Sequence, residues 1–70
     1  MANSHTLTKR ELDVLRCFAN GTPTGKVAAH LRISERTVRA YLAAAMRKLG
    51  ARSRVHAVAI ALRRHIIDGE

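Results

Sequence analysis

Apolar residues recur along this chain at intervals of three and four, and nowhere do they alternate with polar ones over a strand's length. That spacing is the period of helices that bury one face, and the missing alternation argues against half-exposed strands. The first predicted helix covers about 8–20. Thr8 and Glu11 form the T-x-x-E pattern of a capping box, and Leu7 and Leu12 can close a hydrophobic staple around it. Val14, Leu15, Phe18 and Ala19 make its inward face, and Asn20-Gly21 ends it. "NGTPTG" (20–25) reads as a turn, with Pro23 fixing the backbone and Thr24 as N-cap of a short second helix, 25–31. Val27, Ala28 and Leu31 share one side of that helix.

"RIS" (32–34) leaves room only for a turn, with Ile33 directed inward. Ser34 caps a third helix, 35–49, and Glu35 in its first turn complements the helix dipole. Val38, Leu42, Ala45, Met46 and Leu49 make its inner stripe, and Gly50 fits the left-handed position that closes a helix. After "ARS" (51–53), with Ser53 as cap, a fourth helix covers 54–66. The reading is an all-α four-helix bundle from 7 to 67 that contains a helix-turn-helix, with short tails at 1–6 and 68–70.

Length and composition narrow the chemistry. Seventy residues make one small domain, and a chain of this size buries only about 60% of its unfolded surface, leaving little room for a substrate pocket. Cys17 is the single cysteine, beside the inner stripe of the first helix, so no disulfide framework exists and a reducing cytoplasm suits the chain. His5, His30, His56 and His65 are scattered, and no pair has the spacing of a zinc-binding helix; cap or surface roles are expected. No phosphate-binding loop, carboxylate cluster or nucleophile–base pair can be found, so neither an enzyme nor a cofactor or metal is expected. No apolar run approaches the ~20 residues that span a bilayer.

Charge changes the picture most. Thirteen Lys and Arg against five Asp and Glu give a formal +8, and ten of the thirteen are arginine. Between residues 14 and 67 Glu35 is the only acid, against eleven basic residues. Such an excess favours phosphate backbones. On the third helix, positions 36, 39, 40, 43 and 47 lie opposite the inner stripe and carry arginine, arginine, alanine, alanine and arginine. A short helix, a three-residue turn and a longer basic helix match the helix-turn-helix pattern. Small Ala40 and Ala43 let the helix axis approach base pairs in a major groove, and Arg36, Arg39 and Arg47 flank them as donors to phosphates or guanine edges.

"LTKRELDVL" (7–15), "GTPTGKVAAHL" (21–31), "ISERTVRAYL" (33–42), "MRKLGARSR" (46–54) and "AVAIALRR" (57–64) together resemble the LuxR/FixJ/NarL-type DNA-binding domain, collinearly and without gaps. The resemblance implies a third helix that reads promoter DNA and a fourth that carries a homodimer contact. It implies base contacts at Arg39, Ala40 and Ala43 and phosphate contacts at Thr37, Lys48 and Arg54; the outward face of the helix adds Arg36 to the first group and Arg47 to the second. Thr24-Gly25-Lys26 stands where such domains commonly open the second helix with asparagine-lysine-glutamate; Thr24 and Lys26 are the phosphate candidates there. Tyr41 replaces a frequent histidine and is expected to pack. Glu11 matches an acid that ties helices together.

The fourth helix is apolar around more of its girth than one bundle can cover, so Val58, Ala61, Leu62 and His65 are candidates for the dimer contact. The alternative is a basic protein-interaction module that docks on RNA polymerase or another regulator through this helix. A membrane-surface helix fits poorly, because the basic residues belong to a capped bundle.

Overall fold

Thr8 starts the first helix as its sequence predicts. The computed structural model describes residues 6–68, so His5 and most of both tails lie outside the described residues. Helix α1 runs Lys9–Ala19, with the Glu11 N–H donating to Thr8 Oγ1 at 3.2 Å and the Thr8 N–H to Glu11 Oε1 at 2.9 Å. Helix α2 runs Thr24–Leu31, α3 Glu35–Leu49 and α4 Arg54–Arg63. Among the described residues there is no strand, and the expected all-α bundle is present.

Four boundaries differ from those set by spacing. In α1, Thr8 and Asn20 are caps, outside the helix. Helix α2 begins one residue early, because extended Pro23 is its N-cap and the Pro23 carbonyl accepts from Lys26 at 2.9 Å and Val27 at 3.0 Å. Thr24 is therefore the first helical residue and not the cap. Helix α4 stops at Arg63, three residues short of 66, because His65 turns left-handed at φ 58°. Ile67 then folds under the bundle and is buried, so its apolar character reports a turn packed on the core and not further helix.

The same device closes every helix. Gly21, Arg32, Gly50 and His65 follow the four helices with φ of 79°, 61°, 70° and 58°. In each case the next N–H reaches back to an orphan carbonyl: Thr22 to Cys17 at 3.0 Å, Ile33 to Ala28 at 3.0 Å, Ala51 to Met46 at 2.9 Å and Ile66 to Ala61 at 2.8 Å. This is the Schellman arrangement, which satisfies carbonyls that would otherwise lack a donor and reverses the chain within a few residues.

Two apolar clusters hold the bundle. One joins α1, α3 and α4 through Leu15, Ala45, Leu49, Ala57, Ile60, Ala61 and Ile67. The other joins α1, α2 and α3 through Val14, Val27, Ala28, Leu31 and Val38. Helix α3 belongs to both, and half-buried Leu42 packs against each. Burying a Val or Leu side chain of this kind contributes about 1.5–3 kcal/mol, which fixes α3 along its length. Ala61 is wholly enclosed in the first cluster, which corrects its assignment to a dimer contact: it has no surface to offer.

Candidate nucleic-acid interface

Helix α3 is set by three local devices. At its start, Ser34 Oγ accepts from the Thr37 N–H at 3.0 Å. At its end, Gly50 reverses the chain in a left-handed conformation. In its last turn, Lys48 Nζ donates to Glu11 Oε1 at 2.8 Å, the same oxygen that accepts the Thr8 N–H. With Val38, Ala45 and Leu49 buried beneath, the opposite strip of Arg36, Arg39, Ala40, Ala43 and Arg47 is exposed throughout. None of the described helices covers it.

The acids are concentrated elsewhere. Asp13 gathers Lys9, Arg10 and Arg16 at 3.6, 3.5 and 3.6 Å on α1. Glu11 is buried against Lys48. Burial alone would raise the Glu11 pKa, but the Lys48 hydrogen bond and the Thr8 backbone N–H outweigh it and hold the carboxyl below its ordinary value. On α3, Glu35 Oε1 lies 3.6 Å from an Arg39 Nη. Among the described residues, Arg36 and Arg47 have no acid within ion-pair distance, so the outer strip keeps a net positive field.

The phosphate candidates fall into different settings. Thr37 Oγ1 accepts from Ser34 Oγ at 2.9 Å, which leaves the threonine's own hydroxyl hydrogen to point away from the cap. Lys26 and Arg47 are exposed, and Thr24 is half-buried at the first turn of α2. Lys48 is different: its ammonium is turned onto Glu11 and its side chain keeps only 21% of its exposure, so it serves the α1–α3 packing. The Arg54 guanidinium stacks 4.7 Å from the centre of the Phe18 ring, a cation–π contact between α4 and α1.

Sequence reasoning missed three residues. Val55 is the one exposed large hydrophobic among the described residues, at 77%. With exposed Ala59 and half-buried Val58 and Leu62 it forms the outward apolar strip of α4, at 55, 58, 59 and 62. A helical wheel would have found it, since these positions recur by three and four. Gly25 is the third: a Cβ there would sit 3.2 Å from Glu35 Oε2, so the glycine makes room for that carboxylate. Tyr41 packs half-buried against the second cluster, as expected. Half-buried Cys17 also packs there, and its thiol pKa is pushed up by burial and by Asp13, which suits an inert side chain better than a redox thiol.

Residues 5–61 match the family described as bacterial regulatory proteins, luxR family. The chain is similar to the response regulator RamR of Streptomyces coelicolor, 52% identical over 54 residues, covering 77% of this chain and 27% of that protein. It is similar to the transcriptional activator protein BjaR1 of Bradyrhizobium diazoefficiens, 43% identical over 65 residues, covering 93% of this chain and 27% of the relative. With the nitrate/nitrite response regulator protein NarP of Escherichia coli it shares 46% identity over 56 residues, 80% of this chain and 26% of that protein. The chain thus spans about a quarter of the length of these relatives.

Proposed function

We propose that this chain, which belongs to the luxR family of bacterial regulatory proteins and so to DNA-binding transcription regulators, reads double-stranded promoter DNA in the cytoplasm with α3 in the major groove. Arg39, Ala40 and Ala43 meet base edges, with Arg36 beside them. Thr37, Arg47, Arg54, Thr24 and Lys26 face the phosphates, and Lys48 is left to the fold. The observation that carries this reading is the exposed strip of arginine and alanine on a helix whose other side is locked into two clusters. A helix of 15 residues is about 22 Å long, and a groove about 12 Å wide admits it end-on or lengthwise.

Two copies pair through the outward strip of α4, with Val58, Leu62 and His65 joined by Val55 and Ala59, and bind a two-fold or repeated half-site. The domain runs from 7 to 67. A second reading has one specific support. Phe18, Ala19, Arg54, Val55 and Val58 line a shallow groove of about 250 Å³ beside that strip, a surface that a protein such as RNA polymerase could occupy instead.

Arg39→Ala should cost about 1–3 kcal/mol on a preferred site and flatten the preference between duplexes. Anisotropy titrations on duplexes selected from a random pool check this, and an unchanged preference counts against the base-reading role. Affinity should also fall steeply between 50 and 200 mM salt, through counterion release. A salt-insensitive protein contact would favour docking by α4.

A further inference from the structure

Glu35 is the one acid between residues 14 and 67, and it lies in the first turn of the reading helix. An acid there works against attraction to phosphates, so a positive strip that only sought affinity would be stronger without it. Its contacts say what it does instead. One carboxylate oxygen, Oε1, pairs with an Arg39 Nη at 3.6 Å across one helical turn, with the two side chains 65% and 55% exposed. The other, Oε2, lies against the first turn of α2, 3.2 Å from where a Cβ on residue 25 would stand. That turn has no acid of its own and no side-chain cap, so it offers a partial positive charge to the carboxylate. Glu35 thus lies between the first turn of α2 and Arg39.

The geometry points to Glu35 as a specificity-determining positioning residue. It engages one edge of the Arg39 guanidinium, holds that side chain along α3 and leaves the remaining N–H groups for a guanine edge. An arginine without this tether swings to the nearest phosphate, which every duplex supplies. Glu35 thereby suppresses binding to unrelated DNA while leaving recognition of the preferred site intact. This rests on the reading of Arg39 as a base contact.

The test uses Glu35→Gln and Glu35→Asp, each alone and with Arg39→Ala, titrated on a selected duplex and on random-sequence duplex. Melting curves confirm that each variant is folded. Aspartate keeps the charge at the helix start, but its shorter arm cannot lie against the first turn of α2 and reach Arg39 together. Both single variants should bind random duplex about threefold more tightly, with a salt slope steeper by about one as Arg39 becomes a phosphate contact. Their preference for the selected site falls by a similar factor. In the Arg39→Ala background neither should change the preference further. Glu35→Asp behaving as wild type would show that bulk charge alone matters and would overturn the inference, as would equal effects with and without Arg39. If Arg39→Ala by itself leaves site preference unchanged, the base-reading assignment fails and takes this inference with it.

Discussion

At the scale of residues, the Glu11 carboxylate does two structural tasks with one oxygen. It closes the capping box of α1 and holds Lys48 on α3, 37 positions away. Removing the lysine charge leaves a nearly buried carboxylate without its cation. Lys48→Met should therefore lower stability by roughly 2–3 kcal/mol, short of the cost for a fully buried pair because Lys48 keeps some solvent. Urea melts check the loss, and titrations well below the melting point should show duplex affinity little changed. The pH dependence has a definite sign. Folded Glu11 has a pKa below its ordinary 4.5, so its contribution is fully present above that value and disappears as pH falls through the lowered one. The stability gap between wild type and Glu11→Gln should be widest near pH 7 and shrink as pH falls below 4.5. Glu11 was legible as a structural acid from its cap pattern; its partner was not, because a contact across 37 residues leaves no local periodicity.

Among the helices, the starts were easier to read than the ends. Ser34 and Ser53 cap α3 and α4 as their side chains predict, each accepting from the N–H three residues on, at 3.0 Å. The exception is α2, where proline's carbonyl served in place of the threonine hydroxyl. Gly50 announced its left-handed turn, but Arg32 and His65 adopt the same conformation without glycine. An L-residue there bears about 1–2 kcal/mol of strain, and nothing in the local sequence signals it. Packing of half-buried Ile33 and buried Ile67 just beyond each turn supplies the compensation, and that is tertiary information. The two kinds of site should respond unequally. Gly50→Ala should destabilise by about 1–2 kcal/mol, although open space surrounds the position. Arg32→Gly should move stability by less than about 1 kcal/mol, since relief of strain offsets the greater freedom of the unfolded chain. Thermal melts of both variants, compared with wild type, decide this.

The whole molecule, 33 × 23 × 20 Å, separates its charges by region. Glu11 and Asp13 lie on α1, Asp13 with three basic partners of the same helix, while α3 presents an outer strip with Glu35 as its single acid. This separation was plain in the sequence as a count, and helical spacing was enough to place 36, 39, 40, 43 and 47 on one side. The α4 strip was only half legible. Apolar residues all round the helix signalled a surplus, but which side faced the core depended on α4 packing against both α1 and α3. Spacing alone put enclosed Ala61 outward and overlooked Val55. On the proposed pairing through α4, Val55→Glu should weaken self-association without unfolding the chain. Sedimentation should show more monomer, and binding to paired half-sites should lose cooperativity while a single half-site is bound as before.

Helix α3 is a partition wall between the two clusters, and its mortar is all on one side. The five outward positions share none of their atoms with that mortar, so exchanging them leaves the building standing. On the proposed reading, such a scaffold is re-addressed to another operator by rewriting a handful of letters, with the consequence falling mainly on recognition.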